Sequence, residues 1–288
     1  MTDDPRGGPP PTLRSAMAAV YEAMRTAAPA QARPDQTNDF GHDPRFLDEI
    51  SPLLDLLYSR YFRVRLLGIE HVPATEPALL VANHSGGLPY DGAMLIHGVR
   101  REHPRHRRVR PLVATFAFRS SWMSGVITRM GGVRAASSAA RALLRAGELV
   151  AVFPEGLHGV GKLFRERYRL ERFGRGGFVR LALQAGVPII PVAIVGAEEI
   201  HPVLTKVTAL AEPLGIPYIP ITPTFPLLGP LGLLPLPTKW TIQFGAPIHV
   251  PTEGDVPTII ADTAEIVRGR IDTMISALLT HRRSIFFG

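Results

Sequence analysis

From about residue 64 to residue 250 the chain alternates short apolar runs with stretches of helical period. Val64 to Gly68, Ala78 to Ala82, Leu112 to Thr115, Leu149 to Phe153 and Ile189 to Val195 have the length and composition of buried strands. Between them, residues 91 to 98, 121 to 129, 136 to 147 and 176 to 185 carry the spacing of helices. Trp240 to Phe244 reads as one more strand, and residues 257 to 279 as a closing amphipathic helix with Ile259, Ile260, Ala264, Ile266, Ile271 and Ile275 on its apolar side. Such alternation predicts an α/β fold, a mostly parallel sheet flanked by helices. Ligands of these sheets gather beyond the carboxyl ends of strands. Two ends stand out: Asn83-His84 after the second strand and Pro154-Glu155-Gly156 after the fourth.

The flanks of this core differ in pattern. Residues 44 to 62 present Phe46, Leu47, Ile50, Leu53, Leu54, Leu57 and Tyr61 on one broad face, with Pro52 expected to kink the helix. That face suits either packing on the core or docking on a membrane surface. Upstream, Leu13, Met17, Val20 and Met24 suggest a short amphipathic helix, and residues 29 to 44 read as linker. The expected organisation is a flexible tail over 1–43 and a single domain over 44–288. Within that domain, 213–238 holds no charged residue but eight prolines, at 213, 217, 220, 223, 226, 230, 235 and 237. So many prolines forbid a membrane-spanning helix. The segment reads either as a meandering core loop or, the favoured expectation, as an apolar insertion that dips into the lipid interface.

Composition adds limits. With 288 residues and 45% hydrophobic content the chain can bury a large core. It has no cysteine, so disulfides, thiolate nucleophiles and cysteine metal sites are excluded. No His-Glu-x-x-His or comparable spacing suggests a metal. The start of the chain, Met1-Thr2-Asp3-Asp4 followed by Pro9-Pro10-Pro11, resembles no secretory signal, and Thr2 stands where myristoylation needs a glycine, so the expected location is the cytoplasm. A formal charge of +7 favours anionic partners. Arg100, Arg101, Arg105, Arg107, Arg108 and Arg110 crowd one stretch and could meet lipid headgroups or the phosphates of coenzyme A, or form a solvated basic loop. No interleaved aromatics or nucleic-acid module accompany them, so nucleic acid is not an expected partner.

In Asn83-His84-Ser85-Gly86-Gly87-Leu88-Pro89-Tyr90-Asp91, a histidine leaves a strand and a carboxylate opens a helix. Asp91 could hold the imidazole neutral and aimed as a general base, or it could simply cap the helix. Gly156-Leu157-His158-Gly159-Val160-Gly161-Lys162 imitates a phosphate-binding loop, but Leu163 stands where serine or threonine must ligate magnesium. There is also no Gly-x-Ser-x-Gly elbow of a serine hydrolase.

Four blocks in order, Asn83 to Gly92, Gly125 to Arg134, Val152-Phe153-Pro154-Glu155-Gly156 and Val187-Pro188-Ile189-Ile190-Pro191-Val192-Ala193, resemble those of the glycerolipid and lysophospholipid acyltransferases. The resemblance covers most of residues 64 to 250 and implies a glycerol-phosphate acyltransferase-like fold. It implies transfer of an acyl group from acyl-CoA or acyl carrier protein, as co-substrate, to a lipid hydroxyl, with no cofactor. By the same resemblance His84 is the general base and Asp91 its orienting partner. Glu155 and Gly156 shape the acceptor site, and Arg134 and Arg175 bind phosphate, a task suited to planar guanidinium donors.

Two features depart from the family pattern. Six residues separate His84 from Asp91 where the family has four, so the Gly86-Gly87 loop must bulge, as in the branch resembling neutral-glycerolipid acyltransferases. The third block continues with Leu157-His158 instead of Thr-Arg, which removes a phosphate contact. The expected protein is an acyltransferase bound peripherally to the cytoplasmic face of the membrane, with membrane lipids as partners. The alternatives are a non-catalytic lipid-binding protein and an acyl-thioester hydrolase on the same scaffold.

Overall fold

The computed structural model describes residues 40–85, 90–119, 121–156, 159, 161–208 and 218–287. The helix expected over Leu13 to Met24 and the tail around it lie outside these residues, as do the Gly86 to Pro89 loop and Leu157-His158. In chain order the elements are α1 (Pro44–Leu56), β1 (Arg65–Leu67), β2 (Ala78–Ala82), α2 (Tyr90–Glu102), β3 (Val109–Val113), α3 (Ser121–Arg129) and β4 (Val133–Arg134). They continue with α4 (Ser137–Arg145), β5 (Leu149–Val152), α5 (Gly177–Ala185), β6 (Ile189–Val195), β7 (Thr205–Val207), β8 (Ile219–Ile221), β9 (Thr241–Phe244) and α6 (Val256–His281).

The main sheet has the order β1-β9-β6-β2-β5-β3-β4. From β6 to β4 every pairing is parallel, whereas β9 runs antiparallel to β6 and carries β1 parallel to itself. β7 and β8 form a separate antiparallel pair. β2 is buried at all five positions because both faces of the sheet are covered. Leu80 and Ala82 pack with Phe46, Tyr58, Met94 and Leu95 under α1 and α2. Leu79 and Val81 pack with Leu143, Val179 and Ile271 under α4, α5 and α6.

α1 belongs to the core, since Phe46, Leu47, Ile50 and Leu54 are buried against the sheet. Its cap shifts the expected domain boundary. The Asp43 carboxylate accepts from the amides of Arg45 at 3.1 Å and Phe46 at 3.3 Å and holds the Arg129 guanidinium at 3.0 Å. Asp43 is therefore part of the domain and not of the tail. α1 stays helical through Pro52, and the irregularity falls later, in a π-helical turn at Leu57–Tyr61.

The arginine-rich stretch is corrected more strongly. Arg100 pairs with Asp48 at 2.6 Å, Arg101 with Asp55, and Arg108 with Glu148 at 2.5 Å. Arg107 donates to the carbonyls of Pro73, Glu76 and Gly147, and Arg110 is buried with its Nε on the Gly131 carbonyl. Five of these six arginines make contacts within the fold, so the stretch is not a free basic patch, although Arg101, Arg105 and Arg108 remain exposed as in a solvated loop.

Candidate active site

Parallel pairing of β2, β5, β3 and β4 brings their carboxyl ends to one rim of the sheet. Asn83, just past the end of β2, is fully buried. Its side chain donates to the Ile194 carbonyl at 2.9 Å and accepts from the Ile194 amide at 2.7 Å, extending the β2–β6 ladder by an amide that stands in for backbone. The residue after it is thereby fixed in direction.

That residue is His84. Its Nδ1 lies 2.6 Å from Oδ2 of Asp91, whose side chain is 1% exposed against 19% for the imidazole. A carboxylate only accepts, so Nδ1 carries the proton and the neutral ring leaves its lone pair on Nε2. Nε2 has no hydrogen-bond partner among the described residues. Phe153 packs on the ring with centroids 4.7 Å apart. Asp91 is held in turn: Oδ2 accepts from the Ser85 amide at 2.9 Å and hydroxyl at 3.3 Å, and Oδ1 from the Gly92 amide at 2.7 Å. It also sits in the first turn of α2, where the helix dipole favours an anion. The six intervening residues therefore do not prevent the pairing.

Burial is the largest influence on the His84 pKa and acts to lower it, but the charge and hydrogen bond of Asp91, with help from Glu155, outweigh it and hold the pKa above 6.5.

The structure changes the expected place of Glu155. Its residue is 2% exposed, too deep to line an acceptor site. Oε1 accepts from the His84 backbone amide at 2.9 Å, and Oε2 accepts from the Glu171 amide at 2.9 Å and meets Lys162 Nζ at 2.7 Å. Glu155 thus positions the histidine from behind. Lys162, the lysine of the false phosphate loop, is 5% exposed and also reaches Glu198 at 3.5 Å, so it neutralises two buried carboxylates. Burial pushes the Glu198 pKa up to about 7, against the opposing pull of Lys162 and the Tyr168 amide. Arg282 meets the neighbouring Glu199 at 2.6 Å.

Two glycines permit this packing. Gly156 has φ +55°, a conformation that favours glycine, as the chain turns out of β5. A Cβ on Gly159 would stand 2.7 Å from Cβ of Glu155 and 3.1 Å from Cβ of His84.

Arg134 and Arg175 share the rim but do not touch His84, Asp91 or Glu155. Arg134 ends β4, exposed, with its guanidinium 5.0 Å from the centroid of the Phe118 ring. Arg175 is exposed in the turn before α5, next to Gly174, whose Cβ position lies 4.0 Å from the Pro154 carbonyl. Neither has a carboxylate partner among the described residues. Sequence reasoning missed the roles of Asn83, Ser85, Lys162 and Glu198. The available signal was a lysine in a motif that cannot bind nucleotide and a Glu-Glu pair after a buried strand.

The acyltransferase family model matches residues 63–195. Uncharacterized proteins of Mycobacterium leprae and Mycobacterium tuberculosis are each 48% identical over 256 residues, spanning 87% of this chain and 70% and 72% of theirs. The 1-acyl-sn-glycerol-3-phosphate acyltransferase alpha of Mus musculus is 32% identical over 154 residues, or 51% of this chain, which spans about half the length of that relative. The crystal structure of the 1-acyl-sn-glycerophosphate acyltransferase PlsC from Thermotoga maritima shares the fold, with a TM-score of 0.55 over 93% of both chains at 16% identity. The family model spans β1 to β6 and the mycobacterial proteins are matched along most of the length, while the likeness to a glycerophosphate acyltransferase covers about half of it; the chain belongs to the acyltransferase family.

Proposed function

We propose that this chain transfers a fatty acyl group from acyl-CoA or acyl carrier protein to a hydroxyl of a glycerolipid or lysophospholipid, with His84 as general base and Asp91 as its orienting partner. The observation that carries the reading is the 2.6 Å contact between His84 Nδ1 and Asp91, which leaves Nε2 unpartnered at the carboxyl rim of the sheet. Nε2 takes the proton of the acceptor hydroxyl as its oxygen attacks the thioester carbonyl. The tetrahedral adduct collapses with cleavage of the C–S bond, and the departing thiolate takes the proton back from the imidazolium. No acyl-enzyme is needed, which agrees with a chain that lacks cysteine.

Arg134 and Arg175 are the guanidinium donors on the rim available to a phosphate of acceptor or donor. No helix among the described residues is long and apolar enough to cross a membrane. In the proposed arrangement the enzyme binds the cytoplasmic membrane face peripherally. Leu227, Leu228, Leu231 and Leu234 are 82%, 55%, 70% and 61% exposed, which supports a lipid-facing role for 218–238. Leu233 in that loop accepts a hydrogen bond from His201, whose ring lies 6.4 Å from that of Tyr90, the neighbour of Asp91. The loop thus borders the proposed site.

The test supplies labelled long-chain acyl-CoA or acyl carrier protein with glycerol 3-phosphate, lysophosphatidate, monoacylglycerol and diacylglycerol in liposomes. Label in one acceptor supports the reading and names its substrate class. Free fatty acid without acceptor labelling would replace transfer with hydrolysis, and no turnover with either donor would leave a lipid-binding protein.

A further inference from the structure

The carboxyl-terminal segment exposes Phe286 and Phe287, 40% and 89% accessible, next to the apolar loop. Arg63 joins the two. Its Nη2 donates to the Pro237 carbonyl at 2.8 Å and to the Phe286 carbonyl at 2.5 Å, while Nη1 donates to the Tyr61 carbonyl at 2.6 Å. Tyr61 closes the circle, donating its hydroxyl to the Pro235 carbonyl at 2.5 Å, and the Lys239 amide donates to the Ile285 carbonyl at 2.8 Å. Arg63 itself has φ +47°, an unfavourable conformation for a side-chain-bearing residue that these bonds hold in place. Loop and tail therefore form one surface. Seven of the twelve large, exposed hydrophobic side chains of the described residues lie on it, at 227, 228, 231, 233, 234, 286 and 287.

Cations border this surface. Arg60, Arg65 and Arg283 are exposed, and none of them, nor Lys239, pairs with a carboxylate among the described residues. Lys239 lies close enough to Arg63 and Arg65 that, after burial, their charges help to lower its pKa. Uncompensated like charges around protruding leucine and phenylalanine side chains complement a layer that is apolar within and anionic at its surface.

We infer that Phe286 and Phe287, with Arg60, Arg65, Lys239 and Arg283, form a second lipid contact beside the leucine loop and make the docking surface selective for anionic bilayers. This inference rests on the loop's being lipid-facing and assigns to the tail the headgroup preference. An acidic carrier protein would meet the same cations, but it offers no apolar layer for a side chain as exposed as Phe287.

The test is co-sedimentation of the full chain with phosphatidylcholine vesicles and with the same vesicles containing phosphatidylglycerol, with thermal melting as the check on folding. The parent is expected to prefer anionic vesicles, and His84→Ala to bind as the parent does, so the readout does not depend on turnover. Phe286→Ser with Phe287→Ser should weaken binding to both vesicle types. Arg60→Gln with Arg65→Gln should cost about fivefold per charge on anionic vesicles and nothing on neutral ones. Loss of binding only in Leu228→Asp with Leu231→Asp would overturn the inference while the loop reading stands. Unchanged binding in every variant would overturn both. Capture by acidic acyl carrier protein without a preference for anionic vesicles would also overturn it.

Discussion

At the scale of single residues, the proposed chemistry depends on which ring nitrogen of His84 is held and by what. Asp91 binds Nδ1 and is itself fixed by Ser85 and the Gly92 amide, so the ring cannot turn without breaking its 2.6 Å hydrogen bond to a carboxylate that is held in place. A general base works only when neutral, and the raised His84 pKa puts the ascending limb of kcat/KM against pH above 6.5. In Asp91→Asn the charge and hydrogen bond of Asp91 that chiefly raise that pKa are lost while burial remains, so the limb should move to lower pH. An asparagine amide can also donate to Nδ1 and fix the wrong tautomer, and kcat should fall by about 10² to 10⁴. A pH-rate profile of parent and variant checks both, and an unmoved limb would separate Asp91 from the titration of His84.

At the scale of elements, the rim is assembled by side chains that bridge strand ends. Lys162→Met would leave Glu155 and Glu198 buried without their cation, at a cost of about 3–5 kcal/mol in chemical denaturation. Glu198→Gln keeps the acceptor for the Tyr168 amide and should be tolerated. Because the folded-state pKa of Glu198 is raised from 4.5 to about 7, the unfolded chain releases this proton first, and its contribution to stability is lost as pH rises through that window. Melting temperature measured from pH 4.5 to 7 should therefore fall less in Glu198→Gln than in the parent.

The strands most legible in the sequence are those covered on both faces: Ala78–Ala82 and Ile189–Val195 match their apolar runs to the residue. β3 lies at Val109–Val113 and not at 112–115, because Arg110 is buried in the strand with its Nε on a carbonyl, which no pattern of hydrophobicity reports. β4, at two residues, is too short to carry a period. His84 and Asp91 were legible as a pair because strand end and helix start bring them together. The inward place of Glu155 was not, since it depends on Lys162 and on a glutamate from the end of β6.

At the scale of the whole molecule, charge and exposed apolar surface separate in a way that +7 alone does not reveal. Among the arginines between 100 and 110, three are paired at the surface with Asp48, Asp55 and Glu148 from distant positions. The surface that remains apolar is the proline-rich loop, and replacing Leu228 and Leu231 with aspartate should reduce liposome co-sedimentation while leaving the melting temperature within a few degrees of the parent, because both side chains are more than half exposed. Unchanged sedimentation would remove the loop from the membrane contact.

In the proposed reaction His84 takes the proton from an acceptor hydroxyl during direct acyl transfer. The most direct measurement compares purified parent and His84→Ala, matched for folding and vesicle binding, for transfer of labelled acyl from acyl-CoA or acyl carrier protein into a lipid acceptor. Acceptor labelling by the parent and at least about a hundredfold loss of rate in the variant are expected. Equal transfer by both proteins would contradict this role of His84.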